Sequence, residues 1–273
     1  QKNLSMYPYY ERILGKTSGQ QAQILLTLSE YRLKNEKDIK SYFQLLKGLD
    51  GYFDSLIEYS KEQVKRNLFL SDQSLKEVLQ QIQNVIKQKE NNMLVATFNL
   101  RIADIKGINA AQKKKYCREN KKLIGTKVLP AYEKLYSHLQ ALNGNGKNEN
   151  GLYYYKNGKE YYKVLVAQKT GSDKTIEEMI EISDRSIEKC LRKLIKLQKK
   201  YPNSINEYRN HKKNIKIVQN PQNILNKLRQ KMVKYYPKAP KVSCKIKYVH
   251  KTMEEYTSPA FYMVPEIDSY KEN

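Results

Sequence analysis

Apolar residues recur every three or four positions through the first half of the chain. The longest run consists of Ile39, Tyr42, Phe43, Leu46, Leu49, Phe53, Leu56, Ile57 and Val64. This spacing places side chains on one face of an α-helix, whereas a strand with one buried face would alternate. The pattern therefore predicts a series of amphipathic helices over residues 18–142 that pack through their apolar faces.

Local signals indicate where these helices begin and bend. Ser71 and Asn109 are residue types that cap helix N-termini, and Pro130 predicts a new helical segment or a bend. Gly48 and Gly51 lie inside the longest apolar run, where they favour a kink or a close contact with another helix. We therefore assign residues 1–142 to one helical region.

A polar loop rich in glycine and asparagine, residues 143–151, follows this region and predicts a flexible boundary. Residues 152–168 are dense in aromatic and branched side chains around an Asn157-Gly158 turn, which is typical of a β-hairpin. Thr175 and Glu178 have the spacing of a capping box and open a helix that reaches about Lys200. Its predicted inward face consists of Met179, Ile180, Ile187, Leu191, Leu194 and Ile195.

The end of the chain has a different periodicity. Apolar and polar residues alternate over 242–249, and a second short apolar run covers 260–264 between two prolines. Alternation with a period of two predicts a strand with one wet face. The predicted fold class is therefore mostly α, a multi-helix array or bundle with a small β-sheet element near the C-terminus, and residues 152–273 form the second region.

Positive charge is the strongest compositional signal. The net charge is +23, and residues 191–251 contain 18 lysines and arginines with one acid, Glu207. Such a block can bind nucleic acid or another anionic polymer. Only three of these cations are arginines, the residue that nucleic-acid readers favour, so a general lysine bias of the proteome explains the block better.

Recognisable catalytic motifs are missing from the sequence. His138, His211 and His250 lie far apart, so the two histidines of an HExxH zinc helix are not available. The glycines of the 143–151 loop lack the following Lys-Ser/Thr of a phosphate-binding loop, and a GxSxG elbow does not occur. We therefore predict no catalytic residue and no residue that binds a cofactor or metal within this chain.

Two segments, residues 151–162 and 256–268, have compositions that ordinary surface loops do not explain. Through them the sequence resembles a bacterial family known as domain of unknown function 885, whose members look like zinc metallopeptidases and are often surface lipoproteins. The resemblance covers roughly residues 125–273. The matching positions are Leu129-Pro130-Ala131-Tyr132, Gly151-Leu152, Gly158, Tyr161-Tyr162, Thr175, Glu177-Glu178, Ser258 through Tyr262, Pro265 and Asp268.

The resemblance implies that this chain is a non-catalytic N-terminal half. The family places its HExxH helix beyond the position of Asn273, so zinc is expected in the full-length protein, with a peptide substrate and the C-terminal half as partners. It also implies that the second arm of the 152–168 segment starts a helix instead of closing a hairpin. The 258–264 strand would border the substrate cleft.

The same resemblance supplies the candidate cleft residues and a location. The cleft candidates are Tyr161, Tyr162, Ser258, Ala260, Phe261 and Tyr262. The location is the bacterial cell surface or another extracytoplasmic site, while composition alone leaves the cytoplasm open. The competing hypothesis is a basic helical protein that binds nucleic acid or an anionic polymer.

Overall fold

The structure is a computed structural model that describes residues 4–16, 18–146, 151–212 and 220–237, together with Ile246 and Tyr248. The described residues belong to two units, unit 1 through Lys169 and unit 2 from Thr170 onward. Both consist of helices joined by short connections. The mostly helical prediction is therefore confirmed.

Unit 1 contains seven α-helices in its described residues, and the last of them ends at the boundary with unit 2. They are α1 Gln20–Ser29, α2 Glu36–Lys65, α3 Asp72–Lys87, α4 Met93–Ala103, α5 Ala110–Leu123, α6 Leu129–Ala141 and α7 Gly158–Thr170. Short 3₁₀ turns cover Leu4–Met6, Lys89–Asn91 and Leu152–Tyr154. The described part of unit 2 contributes α8 Ile176–Lys200, α9 Ser204–Lys212 and α10 Pro221–Met232.

Three helices begin at the residues that the sequence predicted, and side chains cap their N-termini. The Ser71 hydroxyl accepts a hydrogen bond from the Ser74 amide, and Asn109 forms a capping box with Gln112. Thr175 forms the predicted capping box with Glu178 at the start of α8. Each cap satisfies backbone amides that have no partner inside the first turn, so the caps fix where the helices start.

The two glycines of α2 do not bring another helix close. α2 is an uninterrupted α-helix, and a Cβ placed at Gly48 or Gly51 would meet no heavy atom within 4 Å. Both glycines face solvent. The predicted close helix contact is therefore wrong, because the two residues lie on the exposed side of a helix whose opposite side is buried.

Pro130 lies where the helical geometry changes. Between α5 and α6 the chain forms a π-helical turn over Ile124–Val128, and both of these terminal side chains are buried. Proline cannot donate the hydrogen bond of a regular α-helix, and a π turn accommodates such an interruption without ending the helix. The predicted new segment at Pro130 is therefore α6, which continues directly from this turn.

The core of unit 1 is built on α2, which packs against α6 and α5. The ring of Phe53 meets the ring of Tyr132 edge to face, with centroids 4.7 Å apart, and both side chains are fully buried. The Tyr132 hydroxyl donates a 2.7 Å hydrogen bond to the carbonyl of Gln21 on α1. A buried phenol needs such a partner, so this bond lets a tyrosine occupy the centre of the core.

The 152–168 segment is a turn followed by a helix, so the hairpin prediction is wrong and the helix implied by family resemblance is confirmed. Asn157 has a φ of 57°, and the Gly158 amide donates a 2.8 Å hydrogen bond to the carbonyl of Tyr155. A Cβ at Gly158 would lie 1.7 Å from the Leu152 carbonyl oxygen. The Asn-Gly pair therefore forms a tight turn that leads into α7, and it does not form a two-residue hairpin loop.

The predicted inward face of α8 is the main error of the sequence prediction. The helix forms where expected, yet Ile180, Ile187, Leu191, Leu194 and Ile195 are 52% to 58% exposed, and Met179 is half-buried. None of the described residues of α8 or α10 is buried. The amphipathic pattern is present, but its apolar side chains are exposed.

The predicted strands lie outside the part of the chain that the structure describes, apart from Ile246 and Tyr248, so the small sheet stays a prediction. Within the described ranges the ordered elements are helices. None of these helices combines the length and the apolar composition that crossing a membrane requires.

Truncation of Phe53 should destabilise unit 1 strongly. We expect Phe53→Ala to lower the free energy of unfolding by about 3–5 kcal/mol, because a large buried ring is lost and a cavity remains. Leu45→Ala, on the exposed side of the same helix, should cost less than about 1 kcal/mol. Urea unfolding followed by circular dichroism measures both, and similar losses for the two variants would contradict the assignment of this core.

Candidate functional site

Only two of the predicted cleft residues lie in the described part of the chain. Tyr161 and Tyr162 are neighbours in the first turn of α7. Ser258, Ala260, Phe261 and Tyr262 lie outside the described residues, so their placement stays a prediction. The candidate site is therefore built from the 151–162 segment and the residues of unit 1 that contact it.

The 151–162 segment is fastened to the helical core by Tyr155. The Tyr155 hydroxyl donates a 2.9 Å hydrogen bond to the carbonyl of Leu68, in the connection between α2 and α3, and the ring is buried. Leu68 is itself buried beside the core residues of this connection. One phenol thus gives the segment both an apolar contact and a polar anchor.

Four tyrosines, Tyr7, Tyr10, Tyr155 and Tyr161, form a group of contacting rings that we call the tyrosine cluster. The ring of Tyr161 lies 5.4 Å from Tyr7 and 4.9 Å from Tyr10, between centroids. Tyr7 and Tyr10 meet edge to face at 5.4 Å, and Tyr10 meets Tyr155 at 6.0 Å. These are the separations and tilted geometries that aromatic pairs prefer, so the N-terminal residues and α7 hold each other in place.

Polar contacts fix the N-terminal residues of this arrangement. The Tyr10 hydroxyl donates to the Lys156 carbonyl in the entry to α7. The Gln63 side-chain amide on α2 donates to the carbonyls of Tyr9 and Glu11, at 2.8 and 3.0 Å. The same backbone is therefore held from two sides, by α2 and by the 151–162 segment.

A second aromatic pair extends the contact along α2. The rings of Tyr9 and Tyr59 are 5.1 Å apart, and the Arg66 guanidinium lies 4.8 Å from the centroid of the Tyr9 ring. The Tyr59 hydroxyl donates a 3.3 Å hydrogen bond to the Glu11 carbonyl. The cation adds an electrostatic attraction to the ring face, so Tyr9 is held by Tyr59 on α2 and by Arg66 at the end of that helix.

Burial raises the pKa of three phenols in this region, Tyr10, Tyr59 and Tyr161. Desolvation, followed by the nearby Glu11 carboxylate, raises the pKa of Tyr59 to about 12. Burial likewise raises the pKa of Tyr161, with Glu11 as a smaller cause, and the pKa of Tyr10, with Tyr7 as a smaller cause. At neutral pH these phenols are therefore hydrogen-bond donors and not general bases.

The outer side of the same segment presents phenols to solvent. Tyr162 is 47% exposed, whereas its neighbour Tyr161 is 5% exposed. Tyr153 and Tyr154 are both exposed and meet edge to face at 5.1 Å, and the Lys159 ammonium lies 4.7 Å from the Tyr153 ring centroid. The structure therefore separates the two predicted cleft tyrosines, since Tyr161 is an interior anchor and Tyr162 is an accessible donor.

Sequence reasoning missed the N-terminal half of this site. Tyr7, Tyr9 and Tyr10 form a dense Tyr-Pro-Tyr-Tyr run that resembles the Tyr-rich 151–162 segment in composition. That likeness was the available signal, but nothing in a single sequence shows that two such runs meet. The described residues contain no cluster of three or more His, Cys, Asp or Glu side chains with the geometry of a metal site.

An open surface groove of about 440 Å³ lies between α3 and α6, beside the start of the 143–151 loop. Its lining residues are Asp72, Gln73, Lys76, Leu79, Gln80, Gln83, Tyr136, Gln140 and Asn143. The Asp72 carboxylate accepts hydrogen bonds from the amides of Gly144 and Gly146, at 3.0 and 3.1 Å. These bonds tie the described start of the 143–151 loop to α3, so the groove has one fixed rim.

Stability should fall at high pH through Tyr59. Its pKa is about 12 in the folded chain against 10.0 for an ordinary tyrosine. A raised pKa favours the neutral phenol in the folded state, so this contribution is complete below pH 10 and is lost as pH rises toward 12. We expect the free energy of unfolding to fall less over that range in Tyr59→Phe than in the unaltered chain.

Urea titrations at pH 9, 10 and 11 with both proteins measure this difference, and the lysines that titrate in the same range are common to both. Parallel losses in the two proteins would contradict the burial and carboxylate contacts assigned to Tyr59.

Part of this chain resembles a solved crystal structure. The crystal structure of a presumed lipoprotein from Colwellia psychrerythraea is similar to it, with a TM-score of 0.60 and 18% sequence identity. The similarity covers 65% of this chain and 31% of that one, so the matched part is less than a third of the neighbour's length. No curated protein matches the sequence.

The sequence pattern of one protein family extends over nearly the whole chain. It matches residues 5–273, which include the tyrosine cluster, the 151–162 segment and all of unit 2. The family is described as bacterial proteins of unknown function. The chain therefore belongs to the bacterial family DUF885.

Proposed function

We propose that this chain is the non-catalytic N-terminal portion of a zinc-dependent peptidase and supplies the scaffold and one wall of the substrate cleft. Family membership supports the proposal, together with the metallopeptidase character that the resemblance implies. The observation that carries it is the docking of the 151–162 segment on the helical core, with Tyr155 and Tyr161 buried and Tyr162 exposed.

A cleft wall has to hold its contact groups in fixed directions, and this segment does so. Consecutive residues of an α-helix point about 100° apart, so burying Tyr161 in the tyrosine cluster directs Tyr162 outward. The anchoring contacts come from the N-terminal residues and from α2, both within unit 1. A preorganised group loses less freedom when it binds a ligand, so this arrangement suits recognition.

The chemistry of the wall fits a peptide. Tyr162, Tyr153 and Tyr154 offer hydroxyl donors for peptide carbonyls and ring faces for apolar side chains. The predicted 258–264 strand would add backbone hydrogen bonds to an extended peptide, as edge strands do in other complexes. Zinc and the general-base glutamate would come from the polypeptide that follows Asn273 in the intact family member.

We also propose an extracytoplasmic location at the bacterial surface. The resemblance to a family that is often lipidated supports it, and so does the presumed lipoprotein character of the Colwellia neighbour. Fractionation of cells that express the full-length gene tests this location, and recovery with the cytosol would contradict it.

A second function, binding of nucleic acid or an anionic polymer, has one specific observation in its favour. Lys193, Lys196, Lys199 and Lys200 are all exposed near the C-terminal end of α8. The first half of the same helix carries acids, among them Glu177, Glu178 and Glu181, which would repel a polyanion lying along it. Binding to a DNA duplex that weakens by about one log unit per tenfold rise in salt for each phosphate contact would favour this function.

The zinc-peptidase proposal predicts the behaviour of the full-length gene product. It should bind about one zinc ion per chain, as a catalytic zinc site does, and lose peptidase activity when the metal is chelated. Tyr162→Ala should lower kcat/KM on peptide substrates roughly tenfold, which corresponds to one lost contact of about 1.4 kcal/mol. Tyr235→Ala, which changes a more exposed tyrosine of unit 2, should leave kcat/KM unchanged.

Zinc content by atomic emission and cleavage of a fluorogenic peptide library provide the two readouts. A full-length protein that contains no zinc, or an equal effect of the two tyrosine variants, would contradict the proposal.

A further inference from the structure

The groove between α3 and α6 is a concave surface that the proposed function does not use. Its volume of about 440 Å³ lies within the range of small-ligand sites, roughly 300–1,000 Å³. All of its lining residues belong to unit 1 and to the described part of the chain. The groove is therefore formed within one unit, and its lining does not depend on how unit 2 is placed.

The α3 side of the groove is a regular row of side chains. Gln73, Lys76, Gln80 and Gln83 follow one another at intervals of three and four residues. This spacing places them on one face of the helix. At 1.5 Å per residue the row from Gln73 to Gln83 is about 15 Å long, so the groove has room for a short chain of ring-shaped units.

The aromatic and apolar part of the groove is held in place by the core of unit 1. Leu79 and Tyr136 are half-buried and pack against that core. At the loop end, a Cβ on Gly146 would lie 2.4 Å from the Asp72 amide nitrogen, so the loop backbone is packed closely on α3. A groove with a fixed lining loses little conformational freedom when it binds a ligand.

Carboxamides dominate the polar lining. The five are Gln73, Gln80, Gln83, Gln140 and Asn143. A carboxamide carries both hydrogen-bond donors and an acceptor. The Gln80 amide donates a 3.0 Å hydrogen bond to the Asn84 side-chain oxygen. The side chains of Gln73 and Gln140 form no hydrogen bond with another described residue, so both sides of the groove offer free polar groups.

The lining carries no net charge at neutral pH. The Asp72 carboxylate and the Lys76 ammonium cancel, although the chain as a whole has a net charge of +23. One ammonium is a poor site for a polyanion, and one carboxylate is too few for a hard metal ion. Leu79 and Tyr136 are too small an apolar surface for a lipid chain. The ligand that fits is therefore neutral and polar.

Neutral sugars match this set of groups. A sugar hydroxyl both donates and accepts, so one carboxamide can pair with two neighbouring hydroxyls. A sugar ring also has a face of C–H groups, which packs on an aromatic ring such as that of Tyr136. Tyr136 and Gln140 are one helical turn apart on α6, so stacking and hydrogen bonding would act on the same sugar unit.

An extended peptide fits the groove less well. Its side chains alternate between opposite directions, and recognition of such a peptide uses a pocket for every second side chain. The groove lining provides Leu79 and Tyr136 as its apolar and aromatic contacts, on opposite helices. A row of carboxamides satisfies hydroxyls along the whole groove, whereas it leaves the apolar side chains of a peptide without contacts.

We propose that the groove between α3 and α6 is a binding site for a neutral oligosaccharide. Tyr136 supplies the surface on which a sugar ring stacks, and Gln73 and Gln140 supply hydrogen bonds from the two sides. The site would give the protein a second ligand besides the proposed peptide. It requires neither zinc nor peptidase activity, so it does not rest on the proposed function.

Saturation-transfer difference NMR of this chain with maltotriose, cellotriose and triacetylchitotriose tests the proposal. At least one trisaccharide should bind with a dissociation constant on the order of 1 mM, because an open groove exchanges bound water for similar hydrogen bonds. The double variant Gln73→Ala/Gln140→Ala should weaken binding at least about tenfold. Tyr136→Ala should have a similar effect, whereas Tyr136→Phe keeps the ring and should bind within about threefold of the unaltered chain.

Gln44→Ala is the matched control, because Gln44 is an exposed glutamine of α2 that does not line the groove. It should change binding by less than about twofold, and circular dichroism should show the same helix content in all variants. No binding of any of the three trisaccharides at about 10 mM, ten times the expected constant, would overturn the proposal. A groove filled by another segment of this chain would give that same result.

Two further outcomes would also overturn the proposal. One is a sugar that binds equally well to the unaltered chain and to the Gln73→Ala/Gln140→Ala variant, since it would then bind elsewhere. The other is groove-dependent binding of a blocked trialanine peptide in place of the sugars, which would assign the groove to peptides. Zinc content and peptidase activity of the full-length protein do not affect any of these results, so this test and that of the proposed function are independent.

Discussion

The burial of α2 is the interaction on which the rest of unit 1 depends. Its apolar face meets α6 through Phe53 and Tyr132, and the Tyr132 hydroxyl ties the same point to α1 through the Gln21 carbonyl. The last turns of this helix hold the N-terminal residues through Gln63 and Tyr59. The connection that leaves α2 accepts the hydrogen bond of Tyr155. One well-packed helix therefore supports both the core and the candidate cleft wall.

Two kinds of tyrosine explain how a chain without tryptophan and with few phenylalanines builds this site. Buried phenols such as Tyr132 and Tyr155 fill space and fasten distant backbone through their hydroxyls. Exposed phenols such as Tyr162 leave the same donor accessible to solvent. Because adjacent positions of α7 carry one of each, the anchoring of Tyr161 sets the direction of its neighbour. The dipeptide Tyr161-Tyr162 therefore contains one anchoring side chain and one accessible side chain.

Periodicity and caps predicted the helices well, because both are local properties that a single sequence displays. Ser71, Asn109 and Thr175 cap helices as expected. Packing was less predictable, since it depends on what lies opposite a face. The apolar face of α8 has a typical core pattern and is exposed, whereas the Asn157-Gly158 pair has a typical hairpin pattern and starts a helix. The meeting of the N-terminal tyrosines with α7 was equally invisible, because it joins residues far apart in sequence.

Unit 1 has a closed core, whereas the apolar face of α8 in unit 2 is exposed. Hydrogen exchange of this chain alone, followed by mass spectrometry, tests that contrast most directly, because amide protection reports the free energy of local opening. The buried helices α2 and α6 should exchange at least about two orders of magnitude more slowly than α8. Equal protection of α8 and α2 in the monomeric chain would contradict the account, since the apolar face of α8 would then already be covered.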